Sequence, residues 1–201
     1  MDEVNSTLSR SRGRVRAADG TRIPYERYGE GPPLVLVGAP GTAEAERPLA
    51  GLLAARHAVV VYDRRSHNSG SGDGAASDVR REIEDLAALL DALGGAAAVH
   101  GTPSGAALAL AAAAAGLPIT RLSVYEPPAP GDGPLPEALP ARIRLRVLVV
   151  DGGASPAEVR EAALAVAAAL PRGRHRTLTG QTRQVAPHVL APVLADWLAE
   201  D

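Results

Sequence analysis

Short apolar runs separated by longer amphipathic stretches set the rhythm of this chain. Residues 34–37 read Leu-Val-Leu-Val and residues 58–62 read Ala-Val-Val-Val-Tyr. Runs this short and continuous are expected of strands covered on both faces. Residues 43–56 between them are amphipathic, and Ile83, Leu86, Leu89, Leu90 and Leu93 repeat at helical spacing until Gly94-Gly95 stops the pattern. Ser77-Asp78 offers an N-cap for that second helix. The alternation continues with a strand at 97–100, an alanine-rich helix from 106, strands at 122–125 and 146–150, a helix at 156–170, a strand at 174–178 and a last helix near 185–199. Upstream, residues 14–18 and 22–28 flank Asp19-Gly20, a pair that supplies the positive φ of a hairpin turn. The expected class is α/β: a mostly parallel, doubly wound sheet with an N-terminal antiparallel hairpin and helices on both faces. Residues 1–13 have almost nothing apolar to bury and are expected to be a disordered leader, with residues 14–201 as one domain. Ligands of such sheets bind at the carboxyl ends of strands, so the loops after Val37, Tyr62, Gly101, Tyr125, Val150 and Leu178 matter most.

Composition narrows the function. The chain has 201 residues, 46% of them hydrophobic, enough for one sizeable core. A net charge of -2 and only 2% aromatic residues supply neither a basic field nor stacking rings, so no nucleic-acid partner is expected. The absence of cysteine removes disulfides, thiolate metal sites and cysteine nucleophiles together. No histidine and carboxylate cluster has metal-ligand spacing, and neither metal nor cofactor is expected. Residues 1–13 lack the apolar core of a signal peptide, and the alanine and leucine run at 106–115 is too short and too weakly hydrophobic to span a bilayer. No membrane association and a cytoplasmic location are therefore expected.

The most informative motif is His100-Gly101-Thr102-Pro103-Ser104-Gly105-Ala106, between a strand and the alanine helix. Gly101 and Gly105 stand four apart, which is the frame of a nucleophile elbow, G-x-S-x-G. Its centre is Pro103, which has no hydroxyl to attack with and no backbone N–H.

That frame, together with Asp19-Gly20-Thr21-Arg22-Ile23, Leu34 to Gly38, Val61-Tyr62-Asp63-Arg64-Arg65-Ser66-His67, Ile83-Glu84-Asp85-Leu86, Tyr125-Glu126-Pro127-Pro128 and Leu178-Thr179-Gly180-Gln181-Thr182, resembles the α/β-hydrolase family. The resemblance covers nearly all of residues 14–197 and implies that family's fold. It also implies a Ser-His-Asp apparatus with two oxyanion donors, and here the chain departs. Pro103 stands at the nucleophile. Arg183 stands where the family's loop carries its histidine, and a guanidinium cannot accept a proton. Pro40, which has no N–H, occupies the position of one oxyanion donor, leaving only the Ser104 amide. The family nucleophile sits at positive φ, whereas proline is held near about -65°, so an ordinary φ is expected at residue 103. Prolines at 127, 128, 130, 134, 136 and 140 fill the segment where the family inserts a helical cap, and no cap is expected. An open pocket of this kind suggests a homodimer or another partner as its roof.

The remaining candidates each have two readings. Glu126 and Asp151 follow strands at the family's two acid positions; otherwise Glu126 caps the proline-rich loop and Asp151 binds the amides of Gly152-Gly153. His67 is the best placed of five histidines for acid-base work, against a solvated loop side chain. His100 reads as a packed core residue, His57 and His175 as structural or exposed, and His188 as too far along the last helix. Asp63 with Arg64 resembles the family's loop-bracing pair. Thr102 and Ser104 flank Pro103 in the expected substrate-binding wall with Pro40; Ser104 is either a displaced nucleophile or an N-cap oxygen. Arg183 is expected to hold a ligand anion and to pair with Glu126 or Asp151 in its absence. Three functions follow: a cofactor-free, non-hydrolytic enzyme (cyclase, isomerase or lyase type) acting on a small organic molecule with His67, Glu126, Asp151 and Arg183 as its machinery; an inactive pseudo-hydrolase that binds a ligand or protein; or a hydrolase using Ser104.

Overall fold

The computed structural model describes residues 9–41, 43–65, 75–132 and 135–200. In chain order its elements are β1 (Arg10–Arg16), β2 (Arg22–Tyr28), β3 (Pro33–Val37), α1 (Ala43–Leu53), β4 (Ala58–Tyr62), α2 (Ala75–Ala92), β5 (Ala97–Gly101), α3 (Ala106–Ala114), β6 (Ile119–Tyr125), β7 (Val147–Gly152), α4 (Ala157–Ala169), β8 (Gly173–Leu178) and α5 (Pro187–Ala199). The strands form one sheet in the order β1-β2-β4-β3-β5-β6-β7-β8. β1 and β2 pair antiparallel, as do β2 and β4, and every other pairing is parallel.

The continuous apolar runs are explained by two cores. Val35, Val37, Val60, Val99 and Val149 face the layer of α2, α3 and α4, while Leu34, Leu36, Val59, Val61 and Val150 face α1 and α5. Alternate side chains leave opposite faces of a strand, so a strand buried twice has no polar position to show. Along α3, residues 106–113 are buried on every side, which small alanine side chains allow by letting backbones approach closely.

Two expectations need correction. Strand β1 begins at Arg10, inside the segment expected to be unstructured. Its arginines are held by a carboxylate on the neighbouring strand: Arg10 and Arg12 both reach Glu26, and Arg10 also lies over the Tyr28 ring. Charged pairs across an antiparallel ladder replaced the apolar burial that the sequence lacks. Helix α2 begins at Ala75, two residues before the Ser77-Asp78 N-cap expected from the sequence. Between β6 and β7 the described residues hold only turns and one 3₁₀ turn (Pro140–Arg142), with no helical cap. No helix among the described residues is long and apolar enough to cross a membrane.

Candidate functional site

The elbow is built as its glycines require. A Cβ on Gly105 would lie 1.8 Å from the Val37 carbonyl oxygen, and one on Gly101 would lie 2.8 Å from the Ala106 Cα. Strand β3, strand β5 and the start of α3 therefore meet with no space for side chains. The Thr102 amide donates to the Val37 carbonyl at 3.0 Å, and the amides of Gly105 and Ala106 both donate to the Thr102 carbonyl. Glu126, at φ 44°, is the sole non-glycine with positive φ among the described residues, so Pro103 has the ordinary φ expected of it. Helix α3 takes Gly105 as N-cap with no side-chain bond, which corrects the reading of Ser104 as a capping oxygen. Ser104 is exposed, and its carbonyl accepts from Arg64 Nη1 at 2.9 Å.

Arg64 is the brace of this corner. Its Nη1 also donates to the Gly38 carbonyl, while Nε and Nη2 form a two-pronged pair with Glu82 at 2.9 Å each. The brace is thus Arg64 with Glu82 rather than Asp63 with Arg64, because Asp63 turns to the Ala43 amide. Arg65 likewise grips Asp85 and Asp19. The acidic partners at α2 positions 82 and 85 are one helical turn apart and so share a face.

Four of the expected site residues come together. Pro103, Ser104, Glu126 and Arg183 line one open cavity of about 420 Å³ at the carboxyl ends of the strands. Its walls are otherwise apolar, from Ala107, Pro127, Val159 and neighbours, apart from Asp132 and Glu158. Pro40, Thr102 and Asp151 do not line it. His67 lies outside the described residues. The sequence pattern had not singled out Asp132 or Glu158, nor Ser155, which supports Glu126; the position of Ser155 just after a strand was the one signal available.

Glu126 is 2% exposed. Its Oε1 accepts from the Gly152 amide at 3.1 Å and from Ser155 Oγ at 2.5 Å, while Oε2 has no hydrogen-bond partner among the described residues. It is therefore Glu126, not Asp151, that binds the turn amide. Asp151 lies within β7 rather than after it and pairs instead with His175, Oδ2 to Nε2 at 3.0 Å. Arg183 is exposed and pairs with neither carboxylate, in contrast to expectation. Its loop is fixed from behind: the Tyr125 hydroxyl donates to the Thr182 carbonyl at 2.7 Å, the Ala154 amide donates to the Gln181 carbonyl, and Gln181 Oε1 accepts from the Ala186 amide. Burial, reinforced by Glu126 and Asp151, pushes the Tyr125 phenol well above its usual range and keeps it a donor.

Two further titratable groups lie near the elbow strands. His100 is fully buried with Nδ1 on Ser123 Oγ at 2.9 Å, and burial lowers its pKa to about 4. This is the packed core histidine that the sequence suggested. Glu46 on α1 lies across Gly38, where a Cβ would meet its Oε1 at 2.8 Å, and burial raises its pKa to about 7. Among the described residues no histidine is hydrogen-bonded to Ser104, so none of them serves it as the base a serine nucleophile requires. Nor do three His, Asp or Glu side chains among these residues group closely enough to hold a metal ion.

Comparison with known proteins agrees with this architecture. The model of the alpha/beta hydrolase family matches residues 34–200. The crystal structure of an alpha/beta hydrolase from Sphaerobacter thermophilus superposes with a TM-score of 0.83 and 38% identity, over 93% of this chain and 100% of that one. An enol-lactonase from Burkholderia xenovorans (TM-score 0.78, 17% identity, 94% and 100% covered) and a 2-hydroxy-6-oxo-6-phenylhexa-2,4-dienoate hydrolase from Rhodococcus (TM-score 0.81, 14% identity, 96% and 100% covered) share the fold. No curated protein matches the chain in sequence. With a family match over most of its length and a sheet order, elbow and open carboxyl-end cavity to accompany it, this chain belongs to the α/β-hydrolase family.

Proposed function

We propose that the chain is a cofactor-free enzyme that performs non-hydrolytic proton-transfer chemistry, of the cyclase, isomerase or lyase type, on a small organic substrate. The observation that carries this reading is Glu126: a buried carboxylate at strained φ, with one oxygen anchored and the other without a donor among the described residues, in a residue that lines the same cavity as Pro103 at the centre of the elbow. Backbone strain and an unpaired buried polar atom both cost stability and concentrate at functional sites. Anchoring Oε1 on Gly152 and Ser155 fixes the carboxylate, leaving Oε2 to take a proton from the substrate and return it at another atom. The electron pair left behind moves onto a substrate oxygen, and Arg183 at the rim is the group to stabilise it. Acyl transfer is disfavoured because nucleophile, base and one oxyanion donor are absent together.

The test is a screen for turnover among small enolisable compounds, followed by E126Q and R183Q. Both variants are expected to lose at least about 100-fold in kcat, the usual scale for a positioned acid-base or charge-stabilising group. Undiminished turnover in E126Q would remove the mechanism. A fluorophosphonate probe that labels the protein, with ester turnover lost in S104A, would instead establish the hydrolase reading.

A further inference from the structure

A second cavity, of about 590 Å³, lies at the opposite end of the sheet from the elbow. It opens at the amino ends of the strands: Pro33 and Ala97 are the first residues of β3 and β5, and Arg146 and Arg172 immediately precede β7 and β8. Arg121, Arg146 and Arg172 line it, and among the described residues no carboxylate does. An indole gathers the cations at this end of the molecule. Trp197 on α5 is 2% exposed, and Arg121, Arg146 and Arg174 lie over its ring, 5.6, 5.2 and 5.8 Å from the centroid. The electron-rich face of the ring offsets part of the repulsion between like charges and so holds them close together. Glu200 Oε2 accepts from both Arg146 and Arg174. Arg121 and Arg172 have no carboxylate partner among the described residues. Arg121 is partly buried over the indole, and a guanidinium that has given up water gains most from a charged acceptor.

We infer that this cavity binds a multiply charged oxyanion, of phosphate or polycarboxylate chemistry, bridged between the guanidiniums of Arg121 and Arg172 with Arg146 beside it. The planar guanidinium fork matches the paired oxygens of such groups, and several forks in one wall favour a ligand with several charges over one with a single charge. The whole chain carries a net charge of -2, so the attraction belongs to this local cluster and not to the molecule at large. A volume of 590 Å³ admits a group larger than a single phosphate. The site stands apart from the reading of the elbow cavity, with which it shares no lining residue.

The protein itself supplies the readout, because its one tryptophan is the residue over which these guanidiniums lie. Tripolyphosphate, citrate and acetate are titrated at constant ionic strength, following Trp197 emission and, in parallel, the heat of binding. Tripolyphosphate or citrate is expected to change the emission saturably and to bind at least about tenfold more tightly than acetate, the scale of one additional charge-assisted hydrogen bond. The tighter of the two identifies the ligand as phosphate-bearing or carboxylate-bearing. R121Q and R172Q are each expected to weaken binding about tenfold. R80Q, which changes an exposed arginine on α2 outside the cavity, is expected to leave it unchanged. Arg172 is exposed, so R172Q decides the matter should R121Q not fold. No saturable change in emission and no heat, an affinity no better than that of acetate, binding unaffected by R172Q, or a loss in R80Q as large as in R172Q would each overturn the inference.

Discussion

At the scale of single residues, His100 and Glu46 show how burial sets protonation. The folded pKa of His100 drops from 6.5 to about 4. As pH falls, the unfolded chain binds this proton first, so stability decreases on acidification between those values, by about 3 kcal/mol across the window. The pKa of Glu46 rises from 4.5 to about 7, so the native state binds its proton first and its contribution decreases as pH rises. The two oppose each other over the same range. Thermal unfolding of H100N is therefore expected to gain on the wild type as pH goes from 7 to 4.5, and E46Q to gain on it in the other direction. A melting-temperature difference between H100N and wild type that is the same at every pH would show that His100 is not held neutral. Glu126 is the contrasting residue: neither its position in the sequence nor its type foretells a left-handed φ, which arises because its amide donates to the Val150 carbonyl while its side chain reaches Gly152 and Ser155.

Among elements, the corner where β3, β5, α2 and α3 meet carries the strongest constraints. Gly105 and Gly51 separate two effects of the same substitution. G105A places a methyl group against the Val37 carbonyl and is expected to cost several kcal/mol or prevent folding, whereas Gly51, in α1 with open space around it, is expected to stabilise by about 0.5–1 kcal/mol when changed to alanine. Urea unfolding measures both, and equal effects would contradict the close contact. The Arg64 and Glu82 pair is buried on both sides, with side chains 6% and 5% exposed. Removing either partner strands the other, so R64M or E82L is expected to cost about 3–5 kcal/mol and the double variant less than their sum. The elements themselves were readable in advance because apolar runs, Gly-Gly stops and Asp-Gly turns act locally. Their ends were less so: β1 extends to Arg10 through ion pairs with Glu26, a residue 16 positions away for Arg10.

For the whole molecule, the fold is that of the α/β-hydrolase family, with a proline at the centre of the elbow. P103S places a hydroxyl at the centre of the elbow without a base beside it among the described residues: Arg183 is the cation on the loop after β8, and the histidine nearest in sequence, His100, is buried and bonded to Ser123. The variant is expected to fold and to show no hydrolysis of 4-nitrophenyl acetate above the uncatalysed rate; clear serine-dependent turnover would mean that a base is within reach after all. With no helical cap among the described residues, the cavity stays open.

The sequence alone determined the α/β class, the strand and helix succession, and the elbow frame with a proline at its centre, because periodicity, turn chemistry and residue type are properties of neighbours along the chain. It also brought Pro103, Ser104, Glu126 and Arg183 into consideration. Only the tertiary structure decided that these four share one cavity, that Asp151 turns away to His175, that Arg64 pairs with Glu82, and that Asp132 and Glu158 give the cavity its charge. Those outcomes depend on which side chains are brought together across 18 to 80 positions of sequence, as Arg64 and Glu82 are in an ion pair and Pro103 and Arg183 are in one cavity. Hydrogen bonds and buried charges are settled by distance and desolvation in three dimensions, and no local pattern encodes them.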